Sequence, residues 1–487
     1  MDSDMATLTA SRIRCTLLII LILTAVVPVT TGHATSSQEQ DEIVAFSRNL
    51  LLSTDDSQYG HHAEVSVAIG DNGTIFAGWK NADLHNGPGL RVSIVKSVDG
   101  GTTWTEPFDM PMFGGEFTHQ SDPWLYWHDG SIYYAYLEFE PDYFLNTSNP
   151  DFFTQLTVAK SDDYGNTWTT AKASNGTYFA DKETMMVGDD GTVYVVYDDV
   201  NVDAEDGNAT VRFTRSTDGG ETFQEVSVIG EDPGYVGPFV AQNSTGGLFV
   251  AWTWLDSTFT QGAILLSRSS DGGITWDGPK VIDTGGNHSA ATAPGGRPGK
   301  TTLPVLRFDN TDRLYVLWSD LYEPDAHSWD VYLCYSDDSG DTWSSRTQIN
   351  EETTGNQWNP DAVIGPTGRL HIAYYDERRD TYLPLYRALE FAGAGRNTPV
   401  FSRAAPIADD LTSSSFTRPG EYLGIQLDEN EVPHVAWSDA RDGEMDIYYA
   451  HGLNTTTPSI PIEVIVVVGI VVSAVIVVAL VVYTRRR

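Results

Sequence analysis

Apolar and polar residues alternate with a period of two along much of this chain, in short runs that recur at similar intervals. One run in each unit is rich in aromatic and β-branched residues. These runs begin at Ile75, Ile132, Val193, Leu248, Leu314, Leu370 and Pro433. Such alternation is typical of half-buried strands, and most of the runs follow a Gly or Asp turn, as a β-hairpin requires. The pattern predicts an all-β protein of seven similar antiparallel units.

An eight-residue motif, Ser-x-Asp-x-Gly-x-Thr-Trp/Phe, recurs between these runs. Its five copies begin at Ser97, Ser161, Ser216, Ser269 and Ser336. The Asp side chain can bond to backbone N–H groups of its own turn, and the Gly can adopt a positive φ without steric cost. We therefore expect this box motif to be architectural. Its structural aspartates are Asp99, Asp163, Asp218, Asp271 and Asp338.

The runs and the boxes define units of about 55–65 residues, which is the period of propeller blades and not of helical arrays. The sixth unit has no box around Ala392–Arg396, and the seventh ends near Ala450 before reaching one. Ala45–Thr54 resembles the strands that follow boxes elsewhere, so we expect it to complete the last blade and close the ring. We predict a β-propeller of four-stranded antiparallel blades, with seven blades favoured and six as the alternative.

The N-terminal residues read as an export signal. Arg12 and Arg14 precede an apolar run that ends in small residues near Ala34, which predicts a signal peptide over residues 1–34. An uncleaved anchor helix is the alternative. Sequons such as those at Asn72 and Asn243 fit an exported glycoprotein.

The C-terminal residues read as a membrane anchor. Residues 464–483 form an unbroken apolar run that is long enough to span a bilayer, and residues 484–487 form a basic tail. Because basic residues stay on the cytoplasmic side, the propeller over residues 42–452 should face out of the cell. Residues 453–463 then form a short polar stalk before one transmembrane helix.

Charge and cysteine usage exclude two further classes. The formal net charge is −38, so a nucleic-acid-binding surface is not expected, because phosphate contacts need Lys and Arg. Only Cys334 remains once the signal peptide is removed, so no intramolecular disulfide can form in the mature chain. Stability must then come from a large core.

The five boxes and the closing phrase Val435–Arg441, followed by Asp446–Tyr449, resemble the Asp-box (BNR repeat) sialidase-like β-propeller family. The resemblance covers residues 42–452 and implies the fold. In sialidases three arginines clamp the substrate carboxylate, an Asp is the acid/base, and a Glu activates a Tyr nucleophile. The family's Phe-Arg-Ile-Pro signature is absent here, and Phe46-Ser-Arg48 is the nearest sequence.

Two functions follow from this resemblance. The first is a surface module that binds a glycan or a cell-surface protein, and the alternative is a sialidase-like exo-glycosidase acting on acidic sugars. By the resemblance, the segments that lead into each first strand lie on the face opposite the boxes. The catalytic candidates there are Asp122, Glu421 and Tyr422. The substrate-binding candidates are Lys182, Arg297, Trp358, Arg378, Arg418 and Arg441.

A set of mostly acidic residues follows the aromatic runs at a fixed spacing. Its members are Asn81, Glu138, Asp199, Trp254, Asp320, Asp376 and Asp439. Clustered carboxylates suit a hard cation such as Ca²⁺, but recurrence in most units favours strand capping or pairing with arginines. The acidic loop Asp203–Asp206 resembles a calcium loop only loosely. We therefore expect no cofactor and assign no metal ligand, with calcium as the alternative.

Overall fold

The computed structural model describes most of the chain between residues 44 and 453. The described ranges are 44–53, 59–84, 88–114, 117–140, 154–174, 179–200, 208–233, 235–256, 262–286, 303–322, 328–352, 354–378, 381–392, 397–413 and 422–453. The predicted signal peptide, stalk, membrane helix and basic tail lie outside these ranges. Within them, no helix has the length and apolar character needed to cross a bilayer.

Two short strands precede the first complete blade: β1 (Ala45–Phe46) and β2 (Leu50–Leu51). Blade one contains β3 (His61–Ile69), β4 (Ile75–Ala82), β5 (Arg91–Ser97) and β6 (Phe108–Asp109). Blade two contains β7 (His119–His128), β8 (Ser131–Phe139), β9 (Gln155–Ser161) and β10 (Thr169–Lys172). Blade three contains β11 (Phe179–Val187), β12 (Val193–Val200), β13 (Asn208–Ser216) and β14 (Ser227–Pro233).

The same arrangement continues to the end of the described chain. Blade four contains β15 (Tyr235–Gln242), β16 (Leu248–Leu255), β17 (Gly262–Ser269) and β18 (Lys280–Gly286). Blade five contains β19 (Val305–Phe308), β20 (Leu314–Asp320), β21 (Asp330–Ser336) and β22 (Thr347–Gln348). Blade six contains β23 (Asn356–Ile364), β24 (Leu370–Arg378), β25 (Thr381–Ala392), β26 (Thr398–Phe401), β27 (Ala405–Pro406) and β28 (Thr412–Ser413). Blade seven contains β29 (Leu423–Leu427), β30 (Pro433–Asp439) and β31 (Asp446–Leu453).

The first strands of the blades surround the central axis. Consecutive first strands contact one another around the ring, and β29 of blade seven contacts β3 of blade one. The second strands carry the predicted aromatic runs and are almost completely buried. Among them Trp79, Trp252, Trp318 and Trp437 are fully enclosed between blades. Burying such large side chains supplies much of the apolar area that stabilises a chain without disulfides.

The N-terminal strands close the ring, as the sequence predicted. Ala45 pairs with Leu453, and Leu50 pairs with Tyr449, so β1 and β2 together form the outer strand of blade seven. This pairing confirms seven blades and rules out the alternative of six. Blade six departs from the common plan where the box is missing, since its long strand β25 pairs in turn with β26, β27 and β28.

Each box is a hairpin turn held by its aspartate. In the first box, Thr103 donates from its backbone N–H to Asp99 Oδ1 at 2.8 Å and from its hydroxyl to Oδ2 at 2.7 Å. These hydrogen bonds lower the pKa of Asp99 to about 2. The corresponding Thr makes the same two contacts in the other four boxes, to Asp163, Asp218, Asp271 and Asp338.

The glycine of each box also joins its blade to the preceding one. Gly101 has a φ of +87° and lies directly against the Tyr449 side chain of blade seven. The indole of Trp104 packs edge-on against the same tyrosine, with ring centroids 4.8 Å apart. The other box glycines likewise face side chains of the preceding blade, in the pairs Gly165–Phe76, Gly220–Tyr133, Gly273–Phe213 and Gly340–Leu266. The box is therefore both a turn and an inter-blade contact.

Two neighbouring glycines separate these roles experimentally. Gly100 and Gly101 both have positive φ, but an alanine methyl at Gly100 would meet no atom of the described residues within 4 Å, whereas one at Gly101 would overlap Tyr449. We expect Gly100→Ala to cost about 1–2 kcal/mol from backbone strain alone. Gly101→Ala should cost about 2–5 kcal/mol, because overpacking adds to the same strain. Denaturant unfolding measures both losses, and equal losses would contradict the inter-blade role.

Candidate functional site

Five of the seven first strands contain the same backbone irregularity. Each has a β-bulge near its start, and in each bulge one residue adopts a positive φ. These residues are Glu64 (59°), Asp122 (50°), Lys182 (55°), Gly237 (63°) and Asn359 (48°). A left-handed conformation is costly for residues other than glycine and is typical of functional sites, where the surrounding structure enforces it. The bulges therefore mark a candidate site around the axis.

The bulges and the boxes lie at opposite ends of the blades. In blade one, Ile75 pairs with Ile69 at the end of β3 and with Ser97 at the beginning of the box. The bulge at Glu64 lies near the other end of β3. The site is thus at the face opposite the boxes, where the segments leading into each first strand also lie.

Buried charges connect the bulges of neighbouring blades. Glu64 forms an ion pair with Lys80 at 2.5 Å, and its second carboxylate oxygen accepts a hydrogen bond from the backbone N–H of Asp122 at 3.2 Å. Lys182 of blade three then reaches Asp122 Oδ1 at 2.7 Å and Asp181 at 3.6 Å. Each contact fixes a charge that would be expensive to bury alone.

Tyr422 joins this network from blade seven. Its hydroxyl donates a hydrogen bond to Asp122 Oδ1 at 3.3 Å, and the Lys182 ammonium lies 5.1 Å from the centre of its ring. Burial raises the pKa of Tyr422 well above its usual value, so the phenol keeps its proton. Burial alone would lower the pKa of Lys182, but Asp122 and Asp181 raise it well above its usual value. Lys182 is therefore a fixed positive charge.

A narrow pocket of about 60 Å³ lies beside this network, on the central axis. Blades two to seven each contribute to its wall, through Trp124, Glu183, Phe239, Val305, Asp361 and Leu423 respectively. Most of this wall is apolar. The space is sufficient for about two water molecules.

Glu183 is the unusual group in this wall. Its side chain is buried, and neither carboxyl oxygen accepts a hydrogen bond from another residue in the described part of the chain. Burial first, and then the negative charge of Asp122, raise the pKa of Glu183 well above its usual value. Buried polar groups normally have partners, so an acid that faces a pocket without one is a candidate for ligand contact.

Asp361 is the second carboxyl group of the pocket, and its environment is different. One oxygen accepts from Arg307 Nη2 at 3.1 Å and the other from the backbone N–H of Ile425 at 3.1 Å. Burial raises the pKa of Asp361, and Arg307 opposes this shift. Asp361 is paired with a guanidinium, whereas Glu183 has no such partner among the described residues. The pocket therefore contains two carboxyl groups in different electrostatic environments, and such a difference separates the tendencies of two acids to ionise.

Three of the predicted site residues come together here, namely Asp122, Lys182 and Tyr422. The sequence did not distinguish Glu183 from its neighbours, and it did not identify Glu64 or Asp361. One signal was available, because a proline follows the left-handed residue in three of the five bulges: Pro123, Pro238 and Pro360. Recurrence of this kind indicates a shared backbone feature and does not show which side chain is chemically active.

Other candidates occupy different positions. Trp358 is buried in the core between blades six and seven, where it stacks on Tyr375 with ring centroids 5.6 Å apart. Arg441 binds Asp439 at 2.6 Å and Asp409 at 2.7 Å. Arg378 is the last residue of β24. The candidates Arg297, Arg418 and Glu421 lie outside the described residues.

The acidic set at the ends of the second strands is held within the protein. Glu138 accepts from the backbone N–H of Phe113 at 2.7 Å, Asp199 pairs with Arg212, Asp376 accepts from Gln357, and Asp439 pairs with Arg441. These contacts favour the structural interpretation of the set. No group of three or more His, Cys, Asp or Glu side chains in the described ranges could hold a metal ion. The loop Asp203–Asp206 lies outside those ranges.

Comparison with solved structures gives matches of low sequence identity, with TM-scores below 0.5. A protein of unknown function from Dyadobacter fermentans gives a TM-score of 0.49 at 17% identity, over 84% of this chain and 99% of that one. The sialidase of Trypanosoma rangeli gives a TM-score of 0.46 at 14% identity, and the match covers 70% of this chain and 58% of the sialidase chain. The α-L-arabinofuranosidase of Fusarium graminearum gives a TM-score of 0.47 at 15% identity, and the match covers 83% of this chain and 97% of that chain. No protein-family model and no curated protein matches the chain. These similarities concern the fold alone.

Two substitutions, at the bulges of blade one and blade three, test which carboxyl group is structural. Glu183→Leu removes a buried carboxyl without partners, so the free energy of unfolding should rise by about 1–3 kcal/mol. Glu64→Gln leaves the buried Lys80 ammonium without its counter-charge, so the free energy of unfolding should fall by about 3–5 kcal/mol. Denaturant unfolding at pH 7 measures both changes. A Glu183→Leu loss as large as that of Glu64→Gln would make Glu183 a structural residue.

Proposed function

We propose that this protein is a glycoside hydrolase whose reaction centre is the axial pocket. The observation that carries the proposal is Glu183, a buried carboxyl group that lines the pocket, has no hydrogen-bond partner among the described residues and has a raised pKa. Asp361 supplies an ionised carboxylate in the same wall. One acid and one carboxylate on either side of the reacting bond are the general requirement for glycoside hydrolysis.

Each group has a defined part in the reaction. Glu183 donates its proton to the glycosidic oxygen as the bond from that oxygen to the anomeric carbon breaks. Asp361 stabilises the positive charge that develops on the sugar ring. Water then adds to the anomeric carbon, and the proton released in this step restores the acid. General acid catalysis of this kind contributes about 10²–10⁴-fold to a rate.

Burial is the main cause of the raised pKa of Glu183, and the charged network acts in both directions, because Asp122 raises this pKa and Lys182 lowers it. Asp122 lies close enough to Glu183 to disfavour a second negative charge, and this contributes to the raised pKa of Glu183. Lys182 and Tyr422 in turn hold Asp122 in place. We therefore assign Asp122, Lys182 and Tyr422 as positioning residues. In this proposal Tyr422 is not the nucleophile, because its phenol is protonated and donates to Asp122.

The pocket size agrees with contact at a single linkage. About 60 Å³ accommodates the linking oxygen and one or two adjoining atoms, so most of the ligand would extend from the mouth. The segments that precede Leu303 and Tyr422 in the chain contain Arg297, Arg418 and Glu421. These candidates stay predictions for contacts with the remainder of the ligand.

A non-catalytic glycan-binding module is the second candidate. The same protonated Glu183 could donate a hydrogen bond to a sugar hydroxyl without any bond being broken. The full engagement of Asp361 by Arg307 and the Ile425 amide favours this alternative, since a carboxylate with those contacts is held firmly in place. Turnover distinguishes the two functions.

Glu183→Gln is the decisive variant, because it keeps the shape of the side chain and removes the proton that is donated. We expect kcat on aryl glycosides to fall by about 10²–10⁴-fold, with binding retained. Glu138→Gln is the matched control: burial raises the pKa of Glu138 to about 7, but this residue is not in the pocket wall. The control should retain kcat within a few-fold.

The pH dependence gives a second readout in the same experiment. Because Glu183 must be protonated to act, kcat/KM should fall as the pH rises through its raised pKa, and this limb should be absent from Glu183→Gln. Binding without turnover in the wild-type protein would establish the module instead. Turnover that survives in Glu183→Gln would refute the role of Glu183.

A further inference from the structure

Every cation that the described part of the chain places around the pocket already has a carboxylate partner. Among the described residues of the site, the cations are Lys80, Lys182 and Arg307, and each lies within ion-pair distance of a carboxylate, at 2.5, 2.7 and 3.1 Å respectively. Four carboxylates face these three cations: Glu64, Asp122, Asp181 and Asp361. With Glu183 uncharged, the described site has a small negative excess.

Among the described residues, an anionic sugar would meet no cation that lacks a carboxylate partner. To pair with Lys182, its carboxylate would have to displace Asp122, which also accepts from Tyr422. To pair with Arg307, it would have to displace Asp361, which also accepts from the Ile425 amide. Displacing either group would leave a buried carboxylate without its cation, and this is strongly unfavourable.

The rest of the wall suits the uncharged C–H groups that adjoin the linkage. Trp124 and Phe239 pack edge to face, with centroids 5.4 Å apart, and Val305 and Leu423 continue the apolar surface. The indole N–H of Trp124 is held by the Met185 carbonyl at 3.0 Å, and Arg307 lies 4.7 Å from the centre of the Phe239 ring. Both aromatic rings are therefore fixed in position. Their apolar surfaces can contact the C–H groups of a sugar.

From this charge balance and apolar wall, we infer that the axial pocket takes an uncharged sugar and discriminates against sugars that carry a carboxylate. The inference rests on the proposed function for its substrate class. It differs from the expectation of an acidic sugar that the sequence resemblance raised. A single oxygen of the neutral ligand, either the linking oxygen or a hydroxyl, is the partner of Glu183.

Matched sugar pairs test this inference with the purified full-length chain. The 4-methylumbelliferyl β-D-glucoside and β-D-glucuronide differ only in a CH₂OH or a carboxylate at one carbon, and the α-D-galactoside and α-D-galacturonide form a second pair. Pentosides and an α-sialoside complete the panel. We expect kcat/KM for the neutral member of any pair that is hydrolysed to be at least about 100-fold higher. Equal rates, or a preference for the anionic member or the sialoside, would overturn the inference while supporting the proposed hydrolase.

Calorimetric binding of the matching methyl glycosides covers the case in which nothing is hydrolysed. The proposed hydrolase then fails, but tighter binding of the neutral member would still support the charge argument. Binding of the anionic member with equal or higher affinity, or binding of neither member, would overturn it. Arg297→Ala and Arg418→Ala are measured alongside. If either variant abolishes an observed activity on an anionic sugar, a cation outside the described residues binds the carboxylate of the substrate, and the inference is wrong.

One variant should alter the selectivity in a known direction. Asp181 lies 3.6 Å from Lys182, and Asp181→Asn removes one negative charge from the site. The preference for neutral sugars should then narrow by about 3–10-fold. Asp337→Asn is the matched control, since Asp337 pairs with Arg313 at the box end of blade five and should leave the preference unchanged. An unchanged preference in Asp181→Asn would contradict the electrostatic origin of the selectivity.

Discussion

The pairing of β1 and β2 with β31 is the constraint on which the rest of the structure depends. It joins residues about 400 positions apart in the chain and converts a row of blades into a ring. The axial pocket takes wall residues from each of blades two to seven, so it can exist only when those first strands surround a common axis. Gly101 of blade one reinforces this closure. It packs against Tyr449 of β31, which is the strand that pairs with β2. Closure of the ring and formation of the site are therefore one structural event.

The centre of the ring concentrates features that oppose stability. Four non-glycine residues hold left-handed backbones there, several charges are buried, and one carboxyl has no hydrogen-bond partner within the described chain. Box turns, by contrast, satisfy their aspartates completely and lower the pKa of those carboxyls. Left-handed residues occur in the boxes as well, at Tyr164 and Ser339, so the axis differs from the boxes in its buried charges and in the carboxyl group of Glu183. We attribute the left-handed backbones and buried charges at the axis to the proposed role of Glu183 as an acid.

The fold could be predicted from the sequence because a repeated sequence motif indicates a repeated local structure. Five boxes and seven aromatic strands specify the blades, and the similarity of Ala45–Thr54 to other outer strands specifies the closure. The site could be predicted only in part. Asp122, Lys182 and Tyr422 were identified as unusual polar residues at the start of first strands, and the structure brings them together. Glu183 could not be separated from its neighbours, because its protonation depends on burial and on a charge that lies about 60 positions earlier in the chain. Trp358 was a substrate-binding candidate because aromatic character alone does not reveal which face of a strand is buried.

The proposed function depends on Glu183 being a protonated acid whose carboxyl group faces the ligand in the axial pocket. Isotope-edited infrared difference spectra between the wild-type protein and Glu183→Gln would report the protonation of this one carboxyl group as a function of pH. We expect the infrared band of the protonated carboxyl group to persist above the pH range in which ordinary glutamates ionise. This band should shift in frequency when a neutral glycoside is added. A carboxyl that ionises together with ordinary glutamates and does not respond to any sugar would contradict it.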